Sequence, residues 1–117
     1  MDGLPLDVDL NALVGCAVIQ LRIEVGQLQI HFDNGDSVTV ESAIVVTGTN
    51  DDARIDEYGP AASLLCRLLD DRVSGATREE DGGLRLRFAS GTKLRVLNDS
   101  ALFESLQVRV AGHLYVG

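Results

Sequence analysis

Leu28-Gln29-Ile30-His31-Phe32, then Asp33-Asn34-Gly35, then Asp36-Ser37-Val38-Thr39-Val40, is the stretch that decides the fold. Leu28, Ile30 and Phe32 alternate with Gln29 and His31, so one face is apolar and the other polar, the mark of a half-buried strand. Val38 and Val40 repeat the alternation after the turn. Directly opposed residues of an antiparallel pair share a face, so Ile30 must oppose Val38. A two-residue Asn-Gly turn breaks that parity. A three-residue loop, Asp33-Asn34-Gly35, satisfies it and puts Gly35 at the left-handed position of a G1 bulge.

The same pattern returns at a constant offset of 56 residues, as Leu84-Arg85-Leu86-Arg87-Phe88, the loop Ala89-Ser90-Gly91, and Leu94-Arg95-Val96. Upstream, Val14 to Val18 aligns with Leu69 to Val73 at an offset of 55 residues, which places one extra residue of the second copy around Asp81-Gly82-Gly83. Two copies are too few for a solenoid and read as a duplicated unit within one fold, residues 13–48 and 68–110. On the strand ahead of the first matched hairpin, Ala17, Ile19, Leu21, Ile23 and Val25 are expected on one side. Val38, Val40, Ile44 and Val46 are expected along a single long third strand. The tail adds a strand from Glu104 to Arg109 and a hairpin through Gly112 to Leu114 and Val116.

Between the copies, Ala61, Leu64, Leu65, Leu68 and Leu69 form a one-sided helical stripe, with Pro60 at the first turn and Arg67 near the C-terminal end. The expected fold class is mainly β (α+β), a duplicated antiparallel unit closing into a sandwich or curved sheet. About seven to nine strands are expected, with one helix near residues 60–69 packed on them.

The chain has 117 residues, room for one domain and for a core without staples. Aromatics are 4% with no Trp, so the core is aliphatic and stacking platforms for bases or sugars are disfavoured. Net charge is −8 and the pI near 4.5, the opposite of what displacing counterions from nucleic acid requires. No run approaches the roughly 18 to 20 apolar residues of a membrane-spanning helix, and the N-terminus carries no signal pattern, so a cytoplasmic protein is expected. Nine of the ten basic residues are Arg, a bias associated with GC-rich bacterial genomes. Cys16 and Cys66 sit in apolar settings without a CxxC or Cys/His cluster and read as buried free thiols.

No catalytic constellation stands out. His31 with Asp33 nearby could be half of an acid–base pair, but i and i+2 on an outward face is the ordinary pattern of a solvated strand; His113 borders the last turn. Asp33-Asn34-Gly35-Asp36 resembles a fragment of a calcium loop but lacks the distal Glu. Gly82-Gly83 connects strands and opens no helix, so it is no phosphate cradle. No Ser or Thr lies in a nucleophile signature. No cofactor or metal is expected.

The acidic stretches Asp51, Asp52, Asp56 and Glu57 with Tyr58, and Glu79, Glu80 and Asp81, are either solvated loops or a contact surface for a cationic partner. Tyr58 is the nearest aromatic anchor for such a contact.

Val14 to Gln20, Phe32-Asp33-Asn34-Gly35, Val40-Glu41, Leu84 to Phe88 with Gly91, and Phe103-Glu104-Ser105 together resemble a family of short, uncharacterised, chiefly actinobacterial proteins, a domain of unknown function. The resemblance runs from Leu13 to Val110 and departs at Leu106, where that family carries an aromatic. Small acidic bacterial domains of this kind often serve as immunity proteins in contact-toxin systems, and the analogy supplies no catalytic residues.

The reading that follows is a non-enzymatic protein-binding domain, an immunity-type inhibitor that occludes a basic toxin. The alternative is a structural or regulatory module that forms a homodimer or larger oligomer, with Val18, Ala43 and Val45 facing outward for pairing. An enzyme or small-ligand binder remains the third class, because a sheet-and-helix fold can enclose a pocket.

Overall fold

A computed structural model describes residues 4–48, 52–98 and 106–117. Two five-stranded antiparallel sheets form a sandwich around an aliphatic core to which both contribute. The strands are β1 (Val18–Glu24), β2 (Gln27–Phe32), β3 (Ser37–Val40), β4 (Ile44–Thr47), β5 (Asp52–Ile55), β6 (Val73–Arg78), β7 (Leu84–Phe88), β8 (Lys93–Val96), β9 (Leu106–Val110) and β10 (His113–Val116). The first sheet runs β1-β2-β3-β9-β10 and the second β6-β7-β8-β4-β5.

The two orders are the same order. β1-β2-β3 corresponds to β6-β7-β8, and β4-β5 corresponds to β9-β10. Each half of the chain builds a three-stranded meander, then sends its last hairpin to complete the sheet of the other half.

A pseudo-two-fold relationship is written into the backbone hydrogen bonds. Val18 N–H donates to Asp71 C=O at 3.0 Å, and Val73 N–H donates to Cys16 C=O at 2.9 Å. Asp33 N–H donates to Ala17 C=O at 3.0 Å, as Ala89 N–H does to Arg72 C=O at 2.8 Å. Ala17 and Arg72 form an isolated antiparallel bridge between them.

Both matched turns take the expected form. Phe32 N–H bonds Asp36 C=O and Gly35 N–H bonds Phe32 C=O, with Gly35 at φ 90°. Phe88, Thr92 and Gly91 repeat the arrangement, with Gly91 at φ 95°. The extra residue of the second copy lies at the other hairpin. Glu24 pairs with Gln27 around two residues, whereas Glu79 N–H meets Gly83 C=O around three, with Gly82 at φ 89°.

Leu28, Ile30, Phe32, Val38, Val40, Ile44, Val46, Leu84, Leu86, Phe88, Leu94 and Val96 are all buried as expected. Burying each such side chain is worth about 1.5–3 kcal/mol, so a one-residue slip that turned a strand's set outward is prohibitive. That fixes the register.

Several expectations are corrected. The long third strand is two strands, β3 and β4, in different sheets; the chain crosses at Glu41-Ser42-Ala43 while the inward alternation continues through the crossing. With this split, and with β5 formed in the stretch read as an acidic loop, the described residues hold ten strands. In β1 a bulge shifts register between Val18, opposite Phe32, and Gln20, opposite His31. It turns Val18 inward and leaves Ile19 61% exposed; Val25 is fully exposed at the hairpin tip, while Leu21 and Ile23 stay half-buried. Val18 and Ala43 are therefore core residues and present no outward pairing surface.

The helix is shorter than its stripe: α1 (Ala62–Leu65) tightens into a 3-10 turn at Cys66–Leu68. Leu65 and Leu68 are buried in the core, and Ala61 and Leu64 pack against it. Leu69 is extended and exposed, and Asp70 adopts φ 68° with its N–H on Val18 C=O at 2.8 Å. Those contacts redirect the chain into β6 and end the helix. Cys66 is consequently exposed, contrary to the expectation, while Cys16 is buried. Glu104, expected in the tail strand, lies outside the described residues.

Candidate functional site

The acidic residues singled out from the sequence do not form one loop. Asp52 begins strand β5, opposite Thr47 of β4, and its side chain lies on the outer face of the second sheet. Ile55 ends that strand in the core. Asp56 and Glu57 follow it, exposed. Asp51 lies outside the described residues.

Asp56 and Glu57 meet the β1–β2 turn. With Tyr58, Gly59 and Pro60 on one side and Ile23, Glu24, Val25 and Gly26 on the other, they line an open cleft of about 460 Å³. Three carboxylates, Glu24, Asp56 and Glu57, border it, and the exposed side chains of Val25 and Pro60 give it an apolar surface. Arg22 reaches Glu24 at 3.2 Å and Arg54 reaches Asp56 at 3.3 Å, both pairs exposed and weak.

Tyr58 is not available as an anchor. It is 3% exposed, packs in the core, and its hydroxyl donates to the Ser42 carbonyl. An aromatic after a run of charges reads as an exposed hot spot; here β5 reaches the core at Ile55, Asp56 and Glu57 turn out to solvent, and Tyr58 turns back in. Val25, at the hairpin tip and grouped by alternation with Leu21 and Ile23, takes the exposed apolar position instead.

Glu79, Glu80 and Asp81 belong to the β6–β7 turn. Glu79 pairs with Arg85 at 2.8 Å. Asp81 accepts the Gly83 N–H at 2.8 Å, and its carbonyl accepts Asn98 Nδ2 at 2.6 Å. These two shape the turn, and Glu80 alone is exposed without such a role. The turn also pins the N-terminal segment: Leu4 N–H donates to Gly82 C=O at 2.8 Å, and Arg78 Nε donates to Leu4 C=O at 2.7 Å.

His31 and Asp33 do not pair. The His31 ring bonds Gln29 at 3.2 Å, while Asp33 accepts the Ala17 N–H at 3.2 Å and faces Arg72 at 3.8 Å. His113 lies against Tyr115, ring centroids 6.3 Å apart. Among the described residues no group of three or more His, Cys, Asp or Glu is placed to hold a metal ion. Asp36, buried, accepts Asn34 Nδ2 at 2.7 Å and the Ala111 N–H at 3.0 Å, which ties the β2–β3 turn to the β9–β10 turn. Among the described residues no helix is long and apolar enough to cross a membrane.

The sequence reading passed over a second charged surface. Arg85 and Arg87 on β7, Lys93 and Arg95 on β8, and Arg54 on β5 project from the outer face of the second sheet, half of the ten cations in the chain. Arg85 stands directly opposite Arg95, and Arg87 opposite Lys93. The signal was present in Arg85 and Arg87 alternating with Leu84, Leu86 and Phe88, and in Lys93 and Arg95 alternating with Leu94 and Val96. The overall acidity concealed it.

Residues 9–116 match the model of a family of unknown function, DUF6188. The chain belongs to this family. The match spans both halves of the duplication and both surfaces described above. No curated protein and no solved structure matches the chain.

Proposed function

We propose that this protein is a binding module whose acidic cleft, between the β1–β2 turn and residues 56–60, engages a basic protein partner. The observation that supports it is the juxtaposition of Glu24, Asp56 and Glu57 around exposed Val25 and Pro60. Rim carboxylates steer a cationic partner, and the apolar patch supplies surface that gains from being covered. An immunity-type inhibitor of a basic toxin is the form of this function we favour. It rests on the analogy with small acidic bacterial domains, and its mechanism is occlusion of the toxin's active surface within a cytoplasmic complex.

The test is kinetic binding to the products of neighbouring genes across a range of salt. Glu24→Gln, Asp56→Asn and Glu57→Gln together should slow association at least tenfold at low salt and flatten its salt dependence. Val25→Ser should instead speed dissociation. Unchanged kinetics in both variants would remove the cleft from the interface.

A second reading, self-association, has one observation in its favour. β1 is an edge strand that exposes Ile19, and Val14 of the preceding segment is exposed as well. A concentration-dependent mass in light scattering, abolished by Ile19→Lys, would favour it.

A further inference from the structure

The duplication places the same concavity on the outer face of each sheet, and only the second is lined by a cluster of cations. On the first sheet it is lined by Gln29, His31, Ser37, Thr39, Gln107, Arg109 and Leu114. On the second it is lined by Arg85, Lys93, Arg95, Val45, Thr47 and Asp52. The strand registers match these sets position for position: Gln29 corresponds to Arg85, Ser37 to Lys93, Thr39 to Arg95, Gln107 to Val45, Arg109 to Thr47 and Leu114 to Asp52. His31 corresponds likewise to Arg87, which stands at the side of the second concavity. The inward residues of the two copies are interchangeable aliphatics, whereas these outward positions have become Arg, Arg, Lys and Arg in the second copy alone.

Neither folding nor solubility calls for this arrangement. Like charges directly opposite one another destabilise a strand pair, and here two such pairs are adjacent. Arg87, Lys93 and Arg95 have no ion-pair partner among the described residues, and Asp52 is the one carboxylate in the concavity. The Arg87 guanidinium lies over Gly75, where a Cβ would approach its Nε and Nη2 at 2.7 Å. The glycine therefore leaves room for the cation to lie flat against the sheet.

We propose that this cationic face binds an acidic polypeptide segment in extended conformation. Along β7 the cations recur every second residue, a spacing of about 6.6–6.8 Å, which is also the repeat of alternate side chains in an extended chain. Arg forks donate to carboxylates in bidentate fashion, and Val45 and Thr47 on β4 seat a short uncharged side chain. The face is too open to enclose a small metabolite, which pockets bury on most sides. Among the described residues it carries no aromatic on which a base could stack.

The experiment is fluorescence anisotropy of a labelled ten-residue peptide alternating Glu and Thr, titrated with the full chain at low salt. Saturable, salt-sensitive binding is expected, weakened at least tenfold by Arg87→Gln with Arg95→Gln and unchanged by Arg22→Gln with Arg109→Gln. The first variant relieves like-charge contacts, so it should melt no lower than wild type, and lost binding is then not lost folding. Absence of saturable binding by wild type overturns the proposal, as does equal binding by Arg87→Gln with Arg95→Gln. Tighter binding of a ten-nucleotide oligouridylate than of the peptide also overturns it.

Discussion

Ala17 and Arg72 pair as an antiparallel bridge, and this bridge sits where the two halves of the chain are related to one another. Around it Val18 reaches Asp71 while Val73 reaches Cys16, so the halves grip each other by equivalent atoms. Because β4-β5 and β9-β10 each finish the opposite half's sheet, neither half contains a complete sheet of its own. Cut between Gly59 and Pro60, the two fragments should each lack cooperative unfolding alone. Mixed, they should regain the circular dichroism and the cooperative melt of the intact protein. A fragment that folds independently would contradict the interleaved topology.

Gly35 and Gly91 should respond alike to substitution. Both have positive φ and nothing within 4 Å of a Cβ added there, so Gly→Ala costs only backbone strain, about 1 kcal/mol each. Gly83 differs: its φ is ordinary, but a Cβ would lie 2.1 Å from the Val96 carbonyl oxygen. Gly83→Ala should therefore cost more than either turn mutant, about 2 kcal/mol or above, because backbone must move. Urea unfolding of the three variants gives the order.

Arg95→Gln should stabilise the fold. It removes the contact with Arg85 across the strands, worth about 0.2–1 kcal/mol. The gain should appear as a higher melting temperature at low salt and fade at high salt as screening takes over.

The two thiols should separate cleanly. Cys66 is exposed and should react with a thiol reagent within the dead time of mixing, while buried Cys16 waits for opening of the structure. Burial, reinforced by the nearby charges of Asp33 and Asp36, pushes the Cys16 thiol above its ordinary pKa. The unfolded chain then loses this proton more readily than the folded one, so stability is intact below the usual thiol range and falls as pH rises through it. Urea unfolding at neutral and alkaline pH should show that fall in wild type and a smaller one in Cys16→Ala.

The strands and turns were legible because their signals are local. Alternation in Leu28 to Phe32 and parity across Asp33-Asn34-Gly35 depend on neighbours a few residues away. What escaped depends on distant partners. The break at Glu41-Ser42-Ala43 is silent in sequence, since Val38, Val40, Ile44 and Val46 keep one parity across two sheets. The bulge after Val18 reverses parity without a glycine or proline to announce it. Tyr58 and Cys66 were misplaced because burial at the ends of short elements is set by tertiary contacts. The acidic residues were legible as charge but not as surface, and the cationic face needed β4 and β5 to be laid beside β8.

The interleaving also has a consequence for synthesis on the ribosome. β3 is covered on one side by β2 and on the other by β9, more than sixty residues further along the chain. Until β9 has emerged, a nascent chain carries β3 with one row of backbone donors and acceptors unpaired, flanked by Val38 and Val40. Crowded ribosomes translating one message would then offer each other's β9 as a substitute. The matched halves that stabilise the finished molecule thus make its translation intermediates candidates for strand exchange between chains.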